Sequence, residues 1–191
     1  MIVYYSSDFK SGLKVLIDNH PCEIQRVDFV KPGKGQSFSR VKLKKLLTGQ
    51  LIERTLRSTD SLLSADIFEI KYTYIYHDNM FWHFIHQSNF EQIAIGKNII
   101  QDKYKWLLKN NSYTIILWNQ NPIGVVISHF IDLKVVSFVS DSKKNMSMSK
   151  NNFKLCMLNT GLILQVPLFI QIGDIIRIDT RKVEYHSRIH R

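Results

Sequence analysis

The sequence predicts an all-β protein, mostly strand with one or two short helices, built as three small β-barrels. Only two alanines, Ala65 and Ala94, occur among 191 residues, whereas isoleucine, tyrosine and phenylalanine are abundant, and this usage favours strands over helices. Short segments of alternating apolar and polar residues are separated by turn residues along most of the chain. With 45% hydrophobic residues, the chain can bury packed cores. We expect domains at residues 1–65, 66–128 and 129–191.

The first domain is predicted to contain about five short strands within about 60 residues. A strand at 13–17 lies between two turns, and alternation at 24–29 and 38–43 predicts a hairpin. Thr48-Gly49 then turns the chain into a last strand at 51–57. Strands this short and numerous are typical of a small barrel. Its basic side is predicted to consist of Lys42, Lys44, Lys45, Arg54 and Arg57.

The loop of this hairpin, Lys31-Pro32-Gly33-Lys34-Gly35-Gln36-Ser37, presents a lysine on an unusual backbone. Pro32 favours an extended Lys31, while Gly33 and Gly35 give backbone freedom and remove side-chain bulk on both sides of Lys34. This pattern predicts a slender tip that ends in an ammonium group. An ordinary surface turn is the commoner meaning of an arbitrary Gly-x-Gly. A phosphate-binding loop is excluded, because Gly33-Lys34 is followed by Gly35 and a strand rather than by a helix.

The central domain is predicted to be an OB-like barrel of four to five strands with one short helix. Strands at 67–76 and 80–85 flank a turn, and further strands follow at 113–118 and 123–127. Between the two pairs, the apolar residues of 98–109 recur at the spacing of a single amphipathic helix.

The last domain is predicted to be a second OB-like barrel. Its strands are expected at 131–139, 155–158, 162–166, 175–179 and 183–187. The polar tract from Ser140 to Lys154 has neither a helical nor a strand period, and we expect a mobile loop there.

The formal charge is +10 and is concentrated at the two ends of the chain. Residues 1–65 hold 11 Lys/Arg and 6 Asp/Glu, residues 66–128 hold 5 of each, and residues 129–191 hold 10 and 5. A polyanion such as RNA is the natural partner, because phosphate neutralisation dominates nucleic-acid affinity. Expected RNA contacts are Arg40, Lys42, Lys44 and Lys45, together with Tyr185 and Arg188, which can stack and pair on bases.

The sequence contains no recognisable catalytic or metal-binding constellation. Cys22 and Cys156 lie far apart, which excludes Cys-x-x-Cys sites, and we expect both to be reduced and structural. His83 and His86 are three apart on a strand and therefore point to opposite faces. No Gly-x-Ser-x-Gly elbow occurs. No apolar run approaches the ~20 residues that cross a bilayer, and the start lacks the zones of a signal peptide, so we expect a cytoplasmic protein without a membrane partner.

Three blocks of sequence carry a resemblance to a known family. They are Tyr4-Tyr5-Ser6-Ser7-Asp8-Phe9-Lys10-Ser11-Gly12-Leu13, then Phe29 to Phe38, and an ending that runs from Thr160-Gly161 through Gly173-Asp174 to Tyr185 and Arg188. Stretches at 41–49, 81–84 and 105–108 agree as well. Together these blocks resemble bacterial elongation factor P over nearly the full length of the chain.

The resemblance implies a KOW-like (SH3-like) barrel followed by two OB barrels in an L-shaped, tRNA-like arrangement. It implies a monomeric accessory factor, not an enzyme, that binds both ribosomal subunits beside the peptidyl-tRNA and relieves stalling at consecutive prolines. The residue that matches the family's effector is Lys34. The motif Pro-Gly-Lys-Gly-Gln implies the branch in which a lysyl-tRNA-synthetase-like enzyme attaches a β-lysyl group, with hydroxylation as a possible addition and no other cofactor.

Three departures from the family pattern and three alternatives stay open, and one departure is Lys154-Leu155-Cys156 where the family commonly has Lys-Pro-Ala. Where the family often has Gly-Asp-Thr near the messenger codon, this chain has Lys143 to Met148, so codon contact by the loop at 140–154 is not implied. A helix-region Gly-Asp of the family is Gln101-Asp102 here. The alternatives are an elongation-factor-P-like paralogue, a general RNA-binding barrel protein of the ribosome, and an enzyme. The enzyme is supported only by scattered serine, histidine and aspartate residues.

Overall fold

The computed structural model describes residues 2–33, 35–139 and 153–189. Within these ranges the chain is mostly strand, as predicted. Its helical segments are a 3-10 turn at Ser6–Asp8, an α-helix α1 at Lys97–Ile100 and a 3-10 helix at Gln101–Trp106. The strands are β1 (Val3–Tyr5), β2 (Lys14–Ile17), β3 (His20–Val30), β4 (Phe38–Lys45), β5 (Leu51–Arg57), β6 (Ser61–Leu63), β7 (Ile67–His77), β8 (Phe81–His86), β9 (Gln92–Gly96), β10 (Ser112–Trp118), β11 (Asn121–Val126), β12 (Phe130–Phe138), β13 (Phe153–Leu158), β14 (Ile163–Pro167), β15 (Ile175–Asp179) and β16 (Glu184–Ile189).

Backbone contacts divide the chain into two compact units. One consists of residues 1–72 with 114–125, and the other of residues 73–113 with 126–191. The three predicted domain boundaries are a separate division, and they stay a prediction.

The first unit contains an antiparallel sheet in the order β2-β3-β4-β5, and a two-stranded sheet of β1 with β6. Alternation explains its inner face, because Val41 and Leu43 of β4 are buried while Arg40 and Lys42 between them are exposed. The core of this part is formed by Phe9, Val15, Ile17, Cys22, Ile24, Val41, Leu43 and Leu62. Burying each large aliphatic side chain contributes roughly 1.5–3 kcal/mol.

The hairpin of β3 and β4 is the longest antiparallel pairing in this sheet. It runs from Cys22 opposite Lys45 to Val30 opposite Phe38, with a register shift between Ile24 and Arg26. The predicted hairpin is therefore confirmed, and its loop consists of residues 31–37.

A five-stranded sheet has the order β11-β10-β7-β8-β9. The segment after β9 differs from the prediction of one amphipathic helix. The α-helix α1 ends at Ile100 and is capped by Gln101, whose backbone has φ 50° and ψ −136° and whose N–H donates to the carbonyl of Lys97. A 3-10 helix continues to Trp106. The prediction of one continuous helix is wrong because the positive φ of Gln101 interrupts the right-handed α-helical run.

The last sheet has the order β14-β13-β12-β15-β16, and β14 also approaches β16, so that the sheet curls. Its core contains Leu133, Val135, Cys156, Leu158, Leu164, Val166, Ile170, Ile176 and Ile178, together with Trp106 from the 3-10 helix. Strand β13 begins at Phe153, which lies opposite Pro167 of β14. The prediction that the loop extends to Lys154 is therefore wrong for its last two residues, Phe153 and Lys154. The predicted mobility of the rest of that tract, 140–152, lies outside the described residues. Lys154 holds its Nζ 3.8 Å from the ring centroid of Phe138, a cation–π contact that favours the extended strand.

Among the described residues, no helix combines the length and the apolar character that crossing a membrane would require.

Candidate functional site

The predicted tip is the loop at 31–37, between the ends of β3 and β4. Lys31, Pro32, Gly33, Gly35 and Gln36 are all exposed, and Ser37 is half-buried where β4 is about to begin. Lys34 lies outside the described residues. Its immediate neighbours on both sides are therefore solvent-facing backbone at the end of a hairpin.

The two glycines keep this loop narrow. Gly35 has φ 111°, a conformation that side-chain-bearing residues rarely adopt. A Cβ built at Gly33 would meet no atom within 4 Å, and one built at Gly35 would meet only Cγ of Pro32 at 3.9 Å. The positive φ of Gly35 explains why a glycine occupies that position. Gly33 lies in open space, so its contribution to the loop is its small size.

The base of the tip has a cation–π contact and a hydrogen bond between two hydroxyl groups. Phe29, which is 55% exposed, has the Nζ of Lys31 5.7 Å from its ring centroid, at the outer range of a cation–π contact. Ser39, directly opposite Phe29 in the register, is fully buried and shares a hydrogen bond of 2.8 Å with the Oγ of Ser6. These contacts fasten the 3-10 turn at Ser6–Asp8 to the strand that leaves the loop.

Sequence reasoning missed Ser39. The available signal was a polar residue at an inward position of an alternating strand, because Ser39 has the same parity as the buried Val41 and Leu43. A buried hydroxyl requires a partner, and its spacing in the sequence does not reveal that the partner is Ser6.

The predicted RNA contacts of the first sheet do not all lie on one face. Arg40, Lys42 and Lys44 alternate along β4 on its exposed side, whereas Lys45 belongs to the other parity. Arg54 of β5 also has the inward parity, opposite Val41, and its Nη2 lies 2.8 Å from Oδ2 of Asp18. The predicted basic side is therefore wrong in its membership.

Carboxylates are interleaved with the exposed cations of β4. The register places Asp28 opposite Arg40, Glu53 opposite Lys42 and Glu23 opposite Lys44. Arg40 also lies 3.3 Å from Glu53. This face is a mixed network of both signs, which weakens its attraction for phosphate relative to a purely basic strip. RNA binding by these residues stays a prediction.

Tyr185 and Arg188 occupy strand β16 and are half-buried rather than exposed. Tyr185 packs against the core of the last sheet. Arg188 lies 3.7 Å from Asp174 and 5.7 Å from the ring of Phe169, while its buried Nε has no hydrogen-bond partner. Both side chains therefore already have intramolecular contacts, and RNA stacking by them stays a prediction.

The two cysteines are free and buried, which agrees with the prediction that they are structural. Burial raises the pKa of both the Cys22 and the Cys156 thiol, so neither is activated as a thiolate nucleophile. In the described part of the chain, no group of three or more His, Cys, Asp or Glu side chains is arranged to hold a metal ion.

Three family models match successive parts of the chain. The elongation factor P KOW-like domain matches residues 6–62, the elongation factor P OB domain matches residues 67–125, and the elongation factor P C-terminal domain matches residues 131–188. The chain therefore consists of a KOW-like domain followed by OB-type domains, as predicted.

Full-length similarity to a curated protein agrees with these matches. The chain is 48% identical over 189 residues to elongation factor P of Buchnera aphidicola subsp. Acyrthosiphon pisum, covering 99% of this chain and all of that protein. Two solved structures share the fold at lower identity. Eukaryotic translation initiation factor 5A from Methanococcus jannaschii has a TM-score of 0.54 at 19% identity, over 65% of this chain and 94% of that one. A translation initiation factor eif-5a family protein from Naegleria fowleri has a TM-score of 0.52 at 14% identity, over 66% and 96%. From its three domain matches and its full-length relative, the chain belongs to the elongation factor P family of translation factors.

Proposed function

We propose that this protein binds the ribosome beside the peptidyl-tRNA and relieves stalling at consecutive prolines through Lys34. The observation that supports it best is the narrow, exposed loop at 31–37 in a chain that matches its family over its full length. Function would then lie at the tip, while the sheets supply the docking surfaces. The protein would work in the cytoplasm, where it meets translating ribosomes.

The physical basis of the proposal is positional. Proline is a constrained nucleophile, and orienting the reacting ends of two tRNAs recovers rate that a misplaced substrate loses. A lysine side chain suits this role, because its ammonium sits on a flexible stem and can contact phosphate or ribose oxygens. The ribosome supplies the bond-forming chemistry, and the factor is not an enzyme.

A β-lysyl extension of Lys34, added by a lysyl-tRNA-synthetase-like enzyme, would lengthen this arm. Intact mass of the protein from its native host, followed by fragmentation of the tip peptide, tests the proposal. We expect a lysyl-sized addition on Lys34, with or without hydroxylation. A modification on another lysine, or unmodified protein with full activity, would contradict it.

The central test is Lys34→Ala in a reconstituted translation assay with a Pro-Pro-Pro template. We expect the variant to keep the unfolding temperature of the wild type and to lose stall relief, because the change removes only the effector. Lys71→Ala, at an exposed lysine of β7, is the matched control and should keep full activity. Full activity of Lys34→Ala would overturn the proposal.

The elongation-factor-P-like paralogue differs from this proposal in its expected substrates. A panel of stalling templates separates the two, because the proposed factor should act most strongly on consecutive prolines. A factor that leaves Pro-Pro-Pro stalls unchanged and relieves other stalls would be the paralogue.

A further inference from the structure

The second unit contains a pocket of about 650 Å³ that the proposed function does not use. Strands β7 and β8, the 3-10 helix with the residues after it, and the turn after β13 all contribute to its wall. It is lined by Tyr74, His77, Trp82, Tyr104, Leu107, Leu108, Lys109, Asn111, Asn159 and Thr160. Its volume is in the range of small-molecule and nucleotide sites.

Aromatic rings form a continuous array along this pocket. His77 stacks on Trp82 with ring centroids 5.9 Å apart and an angle of 19°, and Trp82 meets Tyr104 at 5.9 Å and 32°. Tyr74 fixes the orientation of His77, since its hydroxyl is 3.0 Å from Nδ1 of the histidine. Trp82 is buried, whereas Tyr104 is 41% exposed and His77 is also exposed. The array therefore ends in accessible rings onto which another planar ring can stack.

The polar groups of the pocket complement a nucleotide. Lys109 brings an exposed ammonium, and the exposed residues Asn111 and Asn159 each carry an amide side chain. Among the described residues of the lining, none carries a carboxylate that would repel a phosphate.

We propose that this pocket binds one nucleotide of a single-stranded RNA, with the base stacked on Tyr104 and the phosphate at Lys109. The combination of stacking rings, amides and an ammonium is the one that proteins use to bind unpaired bases. The choice of RNA as the source rests on the proposed function, because a factor on the ribosome lies against RNA.

The test is a titration of the full-length protein, monitored by calorimetry, with a single-stranded RNA hexamer, an RNA duplex and each nucleoside monophosphate. We expect the hexamer to bind and the duplex to bind at least about tenfold more weakly. Tyr104→Ala should weaken hexamer binding about tenfold, in line with the loss of one base–aromatic stack. Lys109→Gln should weaken it several-fold and reduce its salt dependence.

Lys97→Gln, at an exposed lysine outside the lining, is the matched control and should bind like the wild type. Hexamer binding that both pocket variants leave unchanged would overturn the site, as would an absence of binding up to about 1 mM. Monophosphates that bind as tightly as the hexamer, with the same variant effects, would overturn RNA as the source. Circular dichroism confirms that each variant is folded, and Lys109→Gln removes no packed side chain.

Failure of this inference is distinguishable from failure of the proposed function. If Lys34→Ala loses Pro-Pro-Pro stall relief while the pocket variants bind RNA normally, only the pocket assignment is wrong. If Lys34→Ala retains stall relief while the pocket variants lose RNA binding, the tip proposal is wrong and the nucleotide site stands.

Discussion

At the scale of single residues, the hydroxyl of Ser39 and the carboxylate of Asp78 each stabilise a turn through hydrogen bonds. Ser39 and Ser6 are hydrogen-bonded at 2.8 Å, but only Ser39 is fully buried. The two alanine substitutions should therefore differ in their cost in stability. Removing Ser6 leaves a buried hydroxyl without a partner, and this costs more than removing the buried hydroxyl of Ser39 itself.

We expect Ser6→Ala to lower the free energy of unfolding by about 1–3 kcal/mol, because it leaves the buried hydroxyl of Ser39 unpaired. Ser39→Ala removes that hydroxyl and should cost about 1 kcal/mol. The double variant should cost less than the sum, since it leaves no orphaned group in the core. Urea unfolding measures all three. Ser39→Ala costing more than Ser6→Ala would contradict this explanation.

Asp78 couples the turn between β7 and β8 to pH. The Nε2 of His83 lies 2.7 Å from Oδ2 of Asp78. The backbone N–H groups of Met80 and Phe81 each donate to Oδ1 of Asp78 at 2.8 Å. The hydrogen bond to His83 first, and these backbone donors next, lower the pKa of Asp78 from 3.8 to about 2. Because the unfolded chain binds this proton more readily, the contribution of Asp78 is present above pH 3.8 and is lost as pH falls through about 2.

We therefore expect Asp78→Asn to be less stable than the wild type at pH 7 and to lose less stability between pH 4 and pH 2. Denaturant unfolding at several pH values gives the slope of the unfolding free energy against pH for both proteins. Glu184→Gln, at an exposed carboxylate of β16, is the control and should keep the wild-type slope. Parallel slopes for Asp78→Asn and the wild type would show that Asp78 does not carry this dependence.

At the scale of elements, alternation predicted the strands well because one face of each is buried. In β4, the parity of Val41 and Leu43 identifies the core face directly. The same rule could not show which strand lies opposite which, so it could not reveal that Asp28 and Glu53 face the cations of β4. Pairing register depends on tertiary structure. The wrong members of the predicted basic side have another cause, because Lys45 has the inward parity of Val41 and Leu43, a signal that alternation along β4 does give. The loop at 31–37 was predictable because Gly33, Gly35 and Pro32 act through local sterics alone.

Gln101 marks a place where the helix prediction and the structure differ. Glutamine is a good helix former, so the apolar spacing of 98–109 gave no sign of a break. The observed φ of 50° and ψ of −136° lie close to a region that favours glycine. The glutamine therefore holds a strained backbone at the end of α1.

Gln101→Gly should raise the free energy of unfolding by about 1 kcal/mol, because the relief of strain exceeds the added flexibility of the unfolded chain. Gln101→Ala, which keeps the Cβ and hence the strain, should change stability by less than about 0.5 kcal/mol. Thermal and urea unfolding of the two variants side by side provide the measurement. A glycine variant that is less stable than the alanine variant would show that Gln101 is not strained.

At the scale of the whole molecule, the family matches and the backbone contacts divide the chain differently. The central and last family matches cover 67–125 and 131–188, yet contacts group 73–113 with 126–191. Trp106 explains part of this grouping, since it comes from the central match and is buried in the core of the last sheet. This part of the grouping depends on a side chain from a segment that the sequence alone assigned to an amphipathic helix, so it was not predictable from strand patterns.

Trp106→Ala should therefore destabilise the second unit selectively. Removing a large buried aromatic side chain costs about 3–5 kcal/mol, and the cavity it leaves would border Leu133 and its neighbours in the last sheet. Amide hydrogen exchange should show faster exchange at Ile176 and Ile178 of β15, while Val41 and Leu43 of β4 in the first unit keep their protection. Tyr104→Ala, which removes an exposed ring from the same 3-10 helix, is the control and should leave the exchange of β15 unchanged. Equal loss of protection in β4 and β15 would mean that the two units unfold as one, and unchanged exchange in β15 would mean that Trp106 does not support the last core.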